Sequence, residues 1–315
     1  MRKKIYKKFA LFFTLVFLSI NGIGQTVMVV KTEALTSEQD GEFCFPQMTK
    51  NGEKIFFSTP NRVGLYVYSL TQQRFSIISK EPGAGYNYSV NEDGSEGVYR
   101  IYELVNGRRY FSLIKKDFKS LKKTLLEKSQ RHLTPPVYMD GKTIVYAKDN
   151  ILQRRLLEPS LNKTGDSEKR PFVCIDNKRI ALFHDHEKTL LEPRGPGSYI
   201  WPEISPDGKK LLFKKLGDGC YISDLDGNIL SSLGNINAPH WSPDGKWLVY
   251  MDDKDDGHRL LSSEIHIKNI ETEQDIQLTD TKDLIEIYPQ WGADMNNIVF
   301  ASAVGQIYLM QLKWN

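Results

Sequence analysis

Cysteine is scarce: there are three in 315 residues, Cys44, Cys174 and Cys220. None forms a C-x-x-C pair, which excludes metal ribbons and thioredoxin-like redox motifs. At most one disulfide could form, with one thiol left over. Long apolar runs are missing after residue 24, so no later segment can cross a bilayer as a helix. A Gly-x-Ser-x-Gly elbow is absent, as is a Gly-rich phosphate loop. No Ser-His-Asp set can be assembled from the order of residues. An excess of positive charge is also lacking. The formal net charge is +3, but five basic residues (Arg2, Lys3, Lys4, Lys7, Lys8) crowd the first 24 residues, which hold no acid, and without them the balance is −2. Nucleic acid is therefore not an expected partner.

What is present begins with an address. Arg2 to Lys8 is basic, Phe9 to Ile20 is apolar, and Asn21 to Gln25 is small and turn-forming. This is the order of a secretory signal peptide, with cleavage expected after Gly24. The apolar stretch is about 12 residues, short of the roughly 20 a spanning helix needs. The sequence thus divides into a cleaved signal peptide (1–24) and one domain (25–315). The mature chain is expected to be exported and soluble, in the periplasm, with the extracellular space as the alternative, and to be a monomer.

The domain is built from one repeated pattern. The clearest copies are Pro202 to Phe213 and Pro239 to Tyr250, each with Ser-Pro-Asp-Gly-Lys followed by an apolar strand. Proline presets the first turn position, and glycine takes a φ that other residues resist. Weaker copies run from Pro46, Ser89, Pro136, Phe172 and Pro289. The glycine-equivalent positions are 52, 94, 141, 177, 208, 245 and 295, a mean spacing of about 40, the period of a four-stranded propeller blade. Strands of alternating polarity follow each turn, such as Gly64 to Leu70 and Gln306 to Leu312. Leu35-Thr36 lies as far before Pro46 as Leu278-Thr279 lies before Pro289. The segment Thr26 to Thr36 is therefore expected to supply the outer strand of the last blade and close the ring. Seven blades are expected; six is the alternative if the Phe172 copy is an insertion.

The motif Pro-x-Trp-Ser-Pro-Asp-Gly-Lys-x-Leu-x-Tyr at 239–250, followed by a strand and Leu-Thr, resembles the TolB-like β-propeller repeat. That repeat family includes TolB, prolyl-oligopeptidase-type propellers and oligogalacturonate lyases. The resemblance covers nearly all of the mature chain. There is no room for TolB's extra α/β domain and no hydrolase elbow, so it implies a stand-alone, all-β propeller that binds a protein or peptide of the cell envelope. A carbohydrate-binding or lyase-like propeller is the alternative, and no cofactor is expected.

Candidate residues follow from the repeat. The positions just before each repeat proline should ring one mouth of the central channel. They are Phe45, Tyr88, Pro135, Pro171, Trp201, Ala238 and Tyr288, with Glu42, Asn87, His132, Tyr199, Asn237 and Glu286 close by. Aromatic rings with a few polar groups suit a peptide or a sugar. His184 and His186 stand at i and i+2, hence on one face of a continuing strand, and could begin a metal site. Asp252 to Gly257 reads as a solvated turn, because Lys254 spoils a calcium loop. Lys115 to Lys123 reads as the outer hairpin of the second blade. Trp241 and Trp291 occupy repeat positions and read as packing between blades.

Overall fold

A computed structural model describes residues 26–139, 142–157, 170–184 and 187–315. The leader, the turn at Asp140-Gly141 and His186 lie outside the described residues. The chain forms seven antiparallel sheets and, among the described residues, no helix. It is a seven-bladed β-propeller, and the Phe172 copy is a blade in its own right.

Blade 1 comprises Cys44–Met48, Lys54–Ser58, Val63–Ser69 and Arg74–Pro82. Blade 2 comprises Ser89–Val90, Glu96–Val105, Arg108–Asp117 and Lys123–Gln130. The lysine cluster is indeed its outer hairpin. Blades 5 and 6 start at Tyr199–Ile204 and Asn237–Trp241 and have four strands each. Blade 7 comprises Glu286–Trp291, Asn297–Ser302 and Ile307–Trp314, with Val27–Ala34 as its outermost strand. The register runs from Val27 opposite Trp314 to Ala34 opposite Tyr308. The Thr36 hydroxyl accepts from the Ile307 amide at 2.9 Å, completing the ring.

Two blades depart from the expected four strands. Among the described residues, blade 3 has Val137–Tyr138, Thr143–Lys148 and Ile151–Leu156, and blade 4 has Phe172–Asp176, Arg179–His184 and Glu187–Leu191. The two departures compensate each other. An odd strand count reverses the direction in which the next blade begins. The innermost strand of blade 4 accordingly runs opposite to its neighbour. Its end lies against the start of blade 5, where the Tyr199 amide donates to the Lys178 carbonyl at 2.7 Å. Its start lies against the turn of blade 5, where Arg170 donates to the Pro206 carbonyl at 3.3 Å. In blades 5 and 6 like ends meet instead, with Pro206 packed beside Gly245. Three strands in blade 4 then restore the direction for blade 5. Pro171 is thus on the face opposite the mouth, contrary to the expectation from the repeat.

The Ser-Pro-Asp-Gly turns show why those residues recur. Ser242 donates to the Asp244 carboxylate at 2.6 Å, and its hydroxyl accepts from the Trp247 amide at 2.9 Å. Gly245 closes the turn on the Ser242 carbonyl at 2.9 Å with φ of 70°. Ser205, Asp207 and Gly208 repeat the arrangement. Gly245→Val places a β-branched side chain in the left-handed region. It should lower stability by about 1–3 kcal/mol, read as a fall in melting temperature. An unchanged melt would refute the assigned role of the turn.

Packing lies between blades. Trp247, Val249, Ile265, Ile298, Phe300 and Met310 form one buried cluster with Trp291, and Trp241 packs with Leu212, Ile222 and Leu248 in another. Both tryptophans serve as packing, as the repeat implied. All three cysteines are free. Asp252 to Asp255 belongs to the strand Trp247–Asp255, whose partner is Leu260–Asn269. The expected turn is therefore confined to the few residues after Asp255, because cross-strand pairs persist as far as Asp255 opposite Leu260.

Candidate functional site: the mouth of the central channel

The innermost strands enclose a cavity of about 860 Å³. Its mouth is shaped by a repeated backbone device. Phe45, Asn87, Trp201, Ala238 and Tyr288 all have left-handed φ, between 44° and 58°. In blades 1, 5, 6 and 7 the pairing register shifts at this point, so each is a β-bulge. A bulge turns a side chain out of the strand's alternation, and left-handed backbone at a bulky residue costs on the order of 1–2 kcal/mol. Such strain concentrates where side chains are held for a purpose. In blade 2 the left-handed residue is Asn87, just before the strand, not Tyr88. That blade lacks the proline which marks the position elsewhere, and the repeat taken from sequence slips by one residue.

The expected residues separate into two groups. Phe45, Asn87, Tyr88, His132, Tyr199 and Trp201 line the cavity. Pro135 lines it as well, whereas Glu42, Asn237 and Tyr288 do not. Glu42 is exposed on the rim, packed against Gly305. Asn237 is consumed by structure: its side chain takes the Lys214 ammonium and donates to Asp253. Tyr288 stands against Phe45 with ring centroids 4.5 Å apart. Two of the lining tyrosines have engaged hydroxyls. Tyr88 donates to the Phe45 carbonyl at 3.3 Å, and Tyr199 donates to the Gly195 carbonyl at 2.7 Å. Burial pushes the phenol of each above its ordinary range.

His184 is placed elsewhere. It lies in a shallow depression on the opposite face with Arg170, Pro171 and Asp207. It pairs with Glu187 in an antiparallel hairpin, so the strand expected to carry both histidines on one face ends at 184. Among the described residues no group of three or more His, Cys, Asp or Glu is placed to hold a metal ion.

The lining residues that the repeat did not mark include three cations. Arg62, Arg100 and Arg131 line the cavity with Tyr86. Arg62 lies 3.6 Å above the Phe45 ring, and Arg100 lies 4.6 Å from the Phe111 ring. Arg62 falls in the turn between two strands of blade 1, and Arg100 in the second strand of blade 2. Neither position belongs to the Pro-Asp-Gly pattern, so periodicity could not flag them. Facing them are the ion pair of Lys188 with Asp176 at 2.7 Å and the hydrogen-bonded pair of His240 with Glu203 at 3.1 Å.

These features define the class as a seven-bladed β-propeller with an aromatic and cationic channel mouth. The chain matches no family model and no curated protein. Among solved structures it is similar to an oligogalacturonate lyase in complex with manganese (16% identity, TM-score 0.49, 89% of this chain and 80% of that one). It is also similar to oligogalacturonate lyase from Vibrio parahaemolyticus (14%, 0.47, 88% and 79%) and to TolB from Acinetobacter baumannii (16%, 0.47, 90% and 59%). Likeness at this level carries no argument about function, which rests on the channel itself.

Proposed function

We propose that this protein is an exported, non-enzymatic binding module of the cell envelope that receives a segment of a protein or peptide in its channel mouth. The observation that carries this reading is the ring of left-handed residues, which presents Phe45, Asn87 and Trp201 to one cavity. Export is supported by the n-region and h-region of residues 2–20. The test is a photo-crosslinking amino acid placed at 201, with a control at Lys209 on the opposite face. A protein adduct at 201, absent at 209, is expected in cells. No adduct at 201, or an adduct equally strong at 209, would count against the mouth as the binding site. N-terminal sequencing of the mature protein should begin at Gln25.

A carbohydrate reading draws on the same arginines, which suit an acidic sugar. Its lyase form, by the resemblance, would use metal-bound histidine; His184 stands on the opposite face, and His132 and His240, which do line the channel, belong to no group of three or more metal-ligating side chains among the described residues. Turnover of oligogalacturonate by the purified protein would favour this second reading over the first.

A further inference from the structure

Charge is unevenly distributed around the channel. On the wall between blades 1 and 2, Arg62 and Arg100 share the ring of Tyr86, at 5.0 and 5.5 Å from its centroid. The Arg62 guanidinium donates to no group among the described residues. Arg100 is 8% exposed; it gives one donor to the Leu133 carbonyl, and its Nε is buried without a partner. Among the described residues no carboxylate forms an ion pair with either: the groups that act on them most are tyrosine and cysteine side chains. Burial lowers both guanidinium values, Arg100 to about 10; arginine nonetheless keeps its charge in proteins. A desolvated cation without a counter-ion is costly, and the aromatic faces offset only part of that cost. An anion arriving from outside would supply the missing partner.

We infer that the wall formed by Arg62, Tyr86 and Arg100 is a subsite for the C-terminal carboxylate of a peptide. This rests on the peptide reading of the mouth. With Phe45 against one flat face of Arg62, the N–H edge of the guanidinium is what the channel can reach, and that edge matches a planar carboxylate. Arg100, buried behind the same ring, adds the field of a second uncompensated charge. The opposite wall selects against a polyanion. Its Lys188 is already taken up by Asp176, and the Glu203 carboxylate beside His240 would repel a charge borne on every unit of a polyuronate. Between the walls lie Trp201 and further apolar lining, which suit the side chains of a peptide that carries a single charge at its end.

The test uses the full mature chain. Random hexapeptides displayed with free C termini are selected on the immobilised protein. The enriched sequences are then synthesised both as free acids and as C-terminal amides. Amidation and Arg62→Gln should each weaken binding at least tenfold, with Arg62→Lys recovering only part, because a lysine lacks the two-pronged edge. Arg62→Gln should keep the wild-type melting temperature; if it does not fold, the comparison of acid and amide on the wild type decides. Equal binding of acid and amide overturns the subsite and leaves the peptide reading standing. Selection that enriches no peptide overturns both. Oligogalacturonate binding that is lost in Arg62→Gln, with no peptide bound, assigns the arginines to an acidic sugar and overturns the inference.

Discussion

A chain lacking residues 26–36 is expected to aggregate, or to melt far below the full-length protein. The deletion removes the outermost strand of blade 7 and leaves the long strand Ile307–Trp314 with an unpaired edge. It also uncovers the cluster around Trp247 and Met310, against which Val27 and Val29 pack, and it removes the Thr36 contact to Ile307. At about 25 cal/mol per Å² of apolar surface, plus the lost ladder, the effect is on the order of 5 kcal/mol. Domains of this kind have only about 5–15 kcal/mol in total. Exposed edges also recruit other chains. Size-exclusion chromatography and a thermal melt decide the matter. A deleted chain that elutes as a monomer with an unaltered melt would show that closure is not what holds the ring.

Glu286→Gln is expected to stabilise the protein above neutral pH and to change little below pH 5. Glu286 is 0% exposed and sits beside Glu264; each has one carboxylate oxygen buried without a partner. Burial, and then the neighbouring Glu264 charge, raise its pKa to about 8. The hydrogen bonds agree with a protonated group. The Thr281 hydroxyl lies 2.7 Å from the Leu284 carbonyl and 3.0 Å from Glu286, and its one proton cannot serve both acceptors. If that proton goes to Leu284, the neutral Glu286 carboxyl donates to the Thr281 oxygen. The folded pKa is raised above the unfolded value, so the folded state binds more protons in between. Stability is therefore full below the unfolded value near 4.5, declines as pH rises, and is lost once pH passes about 8. The decline should be on the order of 5 kcal/mol at most. Chemical denaturation from pH 5 to 9 should show it for the wild type and a flatter profile for Glu286→Gln. Parallel profiles for the two proteins would show that Glu286 is not the group responsible.

The blade count, the turns and the closure were legible in the sequence because each rests on local chemistry. Ser205-Pro206-Asp207-Gly208 and Ser242-Pro243-Asp244-Gly245 can do little else than turn, and a ring of such units leaves little choice of architecture. Legibility failed where the repeat thins out. Without a proline in blade 2, Tyr88 took the place of Asn87. Around Phe172 the pattern shows a turn and an apolar strand but carries no sign of direction. The reversal of blade 4 goes with the three strands that blade 3 has among the described residues, which no local motif records. Of the site, the sequence yielded the bulged aromatics at Phe45 and Trp201, since these adjoin repeat prolines. Arg62, Tyr86 and Arg100 meet only because blades 1 and 2 stand side by side, and nothing in their spacing along the chain foretells it. Glu286 was visible as a mouth residue, but its burial beside Glu264 was not, because strand alternation says nothing of what the neighbouring blade brings.

The closing strand also sets an order of events. Thr36 meets Ile307 across 271 residues of chain, so the first strand to be synthesised finds its partner last. Until residue 314 exists, Val27 and Val29 have no cluster to join, and every other blade can form only an open arc. Contacts this distant carry the highest loop-closure entropy in the molecule and should form slowest. An arc without its clasp is easier to unravel than a finished ring, so the topology itself delays full stability until the final strand has been made and the first strand has found it.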